Sequence, residues 1–254
     1  METGAITEYM DVAQLALYAF WIGFFFLVRH LHREGKREGW PLDLDGQGKH
    51  FAEGFGGMPD PKTYELANGQ GNRTVPGPAR AGYELRAVET GSSDGSPIHP
   101  TGDPMVDGLG PAAWAIRPEA PDLTVDGRPR IVPLRVDSEH SVNSRDPDPR
   151  GQPVIGCDGK QGGTVVDLWF DRAEPHFRYA EVNVGSHTVL LPMTMARVAK
   201  DGTVSVKSIR SDQFAQVPRL ANPDQITLQE EDKVTAFYGG GTLYAHPDRM
   251  GPWL

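Results

Sequence analysis

The residues of this chain that could do chemistry are carboxylates, groups that carry charge and exchange protons, and they stand at separated places. Glu181 alternates with Tyr179 and Asn183, opposite Ala180, Val182 and Val184, so a strand there puts Glu181 on its polar face rather than in the apolar core. Glu230, Glu231 and Asp232 follow Thr227, and Thr227-x-x-Glu230 is a capping box that opens a helix whose dipole favours acids in its first turn. Other chemistries lack their residues. There is no HExxH, no GxSxG and no glycine-rich phosphate cradle, and the eight His are scattered. The single cysteine, Cys157, lies beside the turn signal Asp158-Gly159 and reads as a small apolar filler rather than a nucleophile. A lone cysteine also excludes an intramolecular disulfide framework and a cysteine-cluster metal site. These absences argue against an enzyme with its own active site. With 34 Asp+Glu against 25 Lys+Arg the net charge is −9, a field that repels nucleic-acid backbones and attracts cations, protons included.

The elements that position these residues fall into three stretches. From Val12 to Val28 the chain carries no charged residue, and the helix can run on through Leu31 to give a transmembrane span over 12–31. An acidic start (Glu2, Glu8, Asp11) and a long apolar run speak against a cleaved signal peptide. Residues 1–11 hold no Lys or Arg, whereas Arg29, Arg33, Lys36 and Arg37 crowd the exit, which places the N-terminus outside and the remainder in the cytoplasm. Arg29 and Arg33 are the candidates for lipid-headgroup contact. Between Val12 and Val28 no side chain can relay a proton or ligate a pigment.

Residues 32–115 are rich in turn formers and bury too little apolar surface to order themselves, so they are expected to pack on another surface. Residues 116–254 read as a compact antiparallel β-domain. Runs such as IVPLRV, TVVDLWF and TVLLPM have strand length and are punctuated by Asp158-Gly159 and Asp201-Gly202. One C-terminal helix follows at about 228–238, with Val234, Phe237 and Tyr238 as its buried stripe and Gly239 as its stop. The fold class is therefore a single N-terminal transmembrane helix plus a mainly-β cytoplasmic domain with one short C-terminal helix.

Several ordered stretches carry a resemblance. ITEYMDVAQ running into YAFWIGFFFLV, REGKREGWPLD, PTGDPMVDGLGPAAWA, PDLTVDGRPRIVPLRV, GCDGKQGGTVVDLWFDRAEPHFRYAEVNV with LLPM behind it, and SDQFAQVP followed by NPDQITLQEEDKV are similar to the H subunit of the purple-bacterial photosynthetic reaction centre. The similarity covers nearly the whole length, and its β segment resembles a PRC-barrel.

The resemblance implies a subunit in the bacterial inner (intracytoplasmic) membrane that binds no cofactor itself. Its partners would be the L and M subunits, which hold bacteriochlorophyll, bacteriopheophytin, quinones and non-haem iron, with a cytochrome subunit and light-harvesting antenna as further company. It implies a cap over the cytoplasmic face of the L/M core that assists proton transfer to the secondary quinone. The family's proton-pathway glutamate, in an aromatic-x-Glu-Val strand, matches Glu181, with Glu230, Glu231 and Asp232 ranked below it. Where some relatives carry a histidine pair as proton entry, this chain has Asp126 and Arg128, which leaves Asp126 as the entry candidate. The competing reading is a membrane-tethered PRC-barrel adaptor unrelated to photosynthesis.

Overall fold

A computed structural model describes residues 4–7, 9–40, 42–43, 51–67, 71–77, 85–93, 96–137 and 139–250. Glu2 and Glu8, part of the acidic start, lie outside the described residues. The chain divides into two units, Met1–Tyr83 with Gly91–Pro97, and Glu84–Thr90 with Ile98–Leu254.

In the first unit a short ribbon, β1 (Ala5–Thr7) against β2 (Met10–Asp11), leads into α1 (Val12–Glu34). Asp11 caps the helix, its side chain accepting from the Gln14 N–H at 2.7 Å. The helix runs three residues past Leu31, the expected end. At 1.5 Å per residue it is about 34 Å long, long and apolar enough to cross a membrane. None of its residues is buried. Phe20, Trp21 and Phe24 meet one another, with ring centroids 5.3–5.9 Å apart.

The basic exit of α1 holds a loop. Lys36, itself buried, donates to the Phe55 and Gly57 carbonyls and lies over the Trp40 ring. Arg33 donates to Met58 O at 3.1 Å, and Arg37 to Asp60 O and Val75 O at 2.8 and 3.1 Å. Beyond it β3 (Leu42–Asp43) pairs with β4 (Phe51–Ala52), and β5 (Lys62–Glu65) with β6 (Asn72–Val75).

The second unit begins with the ribbon β7 (Ala87–Glu89) and β8 (Ile98–Pro100). Its body is a curled half-barrel sheet built from β9 (Ile131–Pro133), β10 (Pro153–Ile155), β11 (Gln161–Asp171), β12 (His176–Asn183), β13 (Thr188–Pro192), β14 (Ala196–Val198) and β15 (Val204–Val206). The order is β13-β12-β11-β10-β15-β14, with β9 paired to the far end of β11. The long β11 carries the fold, taking β10 along its first half and β9 along its second. The sheet is not wholly antiparallel as expected, because β15 pairs with β10 in parallel. A parallel pair needs an intervening crossover, and β11 to β14 supply it. Gly159 and Gly202, at φ +73° and +86°, sit in the turns that the Asp-Gly signals mark.

The core gathers Val165, Leu168, Trp169, Val182, Leu191, Ile209 and Phe214 with Val234, Phe237 and Tyr238 of α2 (Leu228–Tyr244). Here α2 corrects the expected stop at Gly239, since it continues through three glycines to Tyr244. A Cβ on Gly240 would lie 2.5 Å from Ala112 Cβ, and one on Gly241 would lie 2.4 Å from Ile209 Cγ2. The glycines serve close approach of the helix to its neighbours rather than termination.

Candidate functional site

Strands β11 and β12 bring together a network of buried carboxylates and arginines. At the end of β11, Asp171 is fully buried and accepts from Arg130 Nε at 3.0 Å, Arg178 Nε at 2.9 Å and the amides of Ala173 and Glu174 at 2.9 and 3.0 Å. Burial alone would raise its pKa, but the Arg130 and Arg178 guanidiniums and these amides outweigh that and hold it at about 2. Asp171 is thus a fixed anion. Arg130 extends the network to Asp122 at 3.2 Å and Glu174 at 3.3 Å, and Arg178 also reaches Glu174, at 3.2 Å.

One strand over, the Tyr179 hydroxyl donates to Glu231 Oε2 at 3.0 Å. Burial and the neighbouring Glu231 charge push the Tyr179 phenol well above its ordinary range, so it stays a donor. Burial likewise raises the pKa of Glu231 against the pull of Tyr179 and Arg178. Of the three acids at the start of α2, Glu231 is the one that meets Tyr179 of β12. Glu230 closes the capping box, accepting from Thr227 N at 2.8 Å and also from Ala221 N at 2.7 Å. Asp232 accepts from Ala115 N at 2.6 Å and lies 4.0 Å from Arg117.

Glu181 is only 7% exposed, so the polar face of β12 on which it stands is covered rather than open to solvent. Its Oε2 accepts from Arg135 Nη1 at 2.6 Å and Trp169 Nε1 at 3.0 Å. Arg135 also meets Asp167 and Asp224 at 3.1 Å and donates to the Pro223 carbonyl. The chain around 220–224 covers this face, and register shifts between Val165 and Asp167 and between Trp169 and Phe170 interrupt the alternation of the partner strand beside it. A cavity of about 90 Å³ remains beside Glu181, walled by Trp169, Thr188, Leu190, Leu220 and Pro223, with room for water.

Asp126 stands on an exposed turn 3.8 Å from Arg128, and the described hydrogen bonds do not join it to the network. Arg33 is engaged by its own loop and sits 3.7 Å from Asp60, whereas Arg29 is exposed. Cys157 is half-buried rather than a core filler. Sequence reasoning missed Asp171, Arg130 and Arg135. Their partners lie 41 and 46 residues away, beyond any local spacing rule. The signals available were an acid closing an apolar strand, an arginine just before IVPLRV and another within it.

Among the described residues no group of three or more His, Cys, Asp and Glu could hold a metal ion. The arrangement can store charge, exchange protons at Glu231 and hold water beside Glu181. Residues 4–136 match the photosynthetic reaction centre H-chain N-terminal region, and residues 141–213 match the PRC-barrel domain. The first match spans just over half of the chain, and the second covers β10 to β15: the protein belongs to the photosynthetic reaction centre H-chain family.

Proposed function

We propose that this chain caps the cytoplasmic face of the L/M core of a purple-bacterial reaction centre, stabilises that core and assists proton transfer to the secondary quinone. The observation that carries the reading is the family membership joined to a set of buried carboxyls. A quinone shielded from bulk water needs side chains and waters to bring protons to it, with pKa values moved toward neutrality. Glu231, raised by burial and hydrogen-bonded by Tyr179, meets that demand. Glu181, beside its cavity, is the position the family pattern selects. The charge-free stretch Val12–Val28 of α1, a helix with no buried residue, suits a single span that gains its contacts from lipid and from neighbouring subunits. Basic residues at its exit favour a cytoplasmic β unit.

The test is kinetic. In the assembled complex, Glu181→Gln and Glu231→Gln are expected to slow proton-coupled transfer of the second electron to the secondary quinone, increasingly as pH rises from 6 to 9. Unchanged kinetics across that range remove the residue from the route. Purification in mild detergent tests the assembly itself, since a colourless monomer would favour the adaptor reading over a pigment-bearing complex with two larger chains.

A further inference from the structure

A second cavity of the β unit, about 380 Å³, is lined by residues of β14, β15 and the C-terminal part of α2. Its wall holds three cations, Arg197, Lys207 and Arg249, and no acidic residue, in a chain whose net charge is −9. Arg249 is held in place without being neutralised. Its Nη1 donates to Ser208 O at 2.8 Å and Gly241 O at 2.7 Å, and its Nη2 to Lys207 O at 2.9 Å, so three carbonyls fix the guanidinium and, among the described residues, no carboxylate answers it. Arg197 and Lys207 are exposed and make no ion pair among the described residues. The contrast within the unit is sharp: Arg130, Arg135, Arg150, Arg178 and Arg210 each meet a carboxylate.

Hydroxyls complete the wall. Ser205 and Thr242 line it, and so does Ser208, which is 4% exposed and whose Oγ has no hydrogen-bond partner. An unpartnered buried hydroxyl is costly to leave unbonded, and in a native protein it calls for a ligand or water to explain it.

We propose that this cleft is an oxyanion site that takes a phosphate group, either as free phosphate or a small phosphomonoester, or as the headgroup of an anionic lipid. A fixed guanidinium, two unpaired cations and several hydroxyls match a tetrahedral, multiply accepting anion better than a single planar carboxylate. The cavity lies at the lower end of the size range of small-molecule sites, about 300–1,000 Å³.

The test uses the intact complex in zwitterionic detergent, dialysed to equilibrium against radiolabelled inorganic phosphate, with a parallel arm in micelles doped with phosphatidic acid. Saturable binding is expected, weakened about tenfold or more by the paired substitution Arg197→Ala and Lys207→Ala, since charge-assisted contacts are lost. The conservative pair Arg197→Lys and Lys207→Arg is expected to retain it. Both positions are exposed, so the complex should assemble, and its pigment spectrum checks that. Variant-sensitive uptake of free phosphate assigns the site to soluble anions. Variant-sensitive binding of the lipid alone assigns it to a headgroup. Binding in neither arm, or binding that the paired alanines leave unchanged, overturns the proposal.

Discussion

The two units keep their large apolar residues in opposite places. In the first, Phe20, Trp21, Ile22, Phe24, Phe25 and Phe26 are all exposed, and α1 buries nothing. In the second, Trp169, Leu168, Val165, Phe214 and Tyr238 are all but inaccessible. Burial of apolar surface is the main favourable term in folding, so the β unit supplies its own stability, whereas the helix gains its share only from surroundings that cover it. The polar residues follow the same division. Lys36 and Arg37 in the first unit mainly hold backbone carbonyls of a loop. Arg130, Arg135 and Arg178 in the second tie carboxylates into a buried network. One unit is built to be covered, and the other to hold charge inside itself.

Truncating the β core should produce the largest effect. Trp169→Ala removes a fully buried ring and the indole donor to Glu181, and is expected to lower the unfolding free energy of the full chain in detergent by about 3–5 kcal/mol. A loss below 1 kcal/mol in a denaturant titration would mean that the β unit does not depend on this core. Next comes the buried anion. Asp171→Asn is expected to cost about 2 kcal/mol at pH 7, since one pKa unit corresponds to about 1.4 kcal/mol. Because the folded pKa of Asp171 is depressed to about 2, its contribution is fully present above the unfolded value of about 4 and is lost as pH falls from there through 2. Thermal melts should therefore show the wild-type and Asn chains converging in acid; a constant gap would refute the assignment.

The α2 cap is worth less. Thr227→Ala removes the side chain that accepts from the Glu230 amide at 3.1 Å and should cost about 1 kcal/mol, read as a lower melting midpoint. The smallest effect is expected in the first unit. Phe24→Ala removes an exposed ring and should change the stability of the isolated chain in micelles by no more than about 0.5 kcal/mol. If it destabilised that chain as much as the Trp169 substitution, the contrast between the two units would fail.

Much of the fold could be read from local pattern. The uncharged run after Asp11, the Asp-Gly turns and the Thr227–Glu230 capping box each rest on neighbours a few residues apart, and each lies where the pattern puts it. The candidate site was legible only in part. Glu181 and Glu231 could be named as carboxyls worth watching, but strand alternation gives only the face on which Glu181 stands and not whether that face is wet. The strand's second face is covered by residues some 40 positions onward, and no alternation rule contains that. The three glycines of α2 fail the reading for a related reason, since a close packing neighbour and a helix stop look alike in one dimension.

What the sequence by itself determined is whatever acts over one or two turns of backbone: the apolar span, its basic exit, the strand runs, the turns and the helix cap. Tertiary structure alone decided which charges meet. Asp171 with Arg130, Glu181 with Arg135 and Glu231 with Tyr179 are pairings that only strand register and helix docking can make. Protonation depends on burial and on partners distant in the chain, so chemistry at these carboxyls becomes readable only once the sheet has curled and α2 has closed over it.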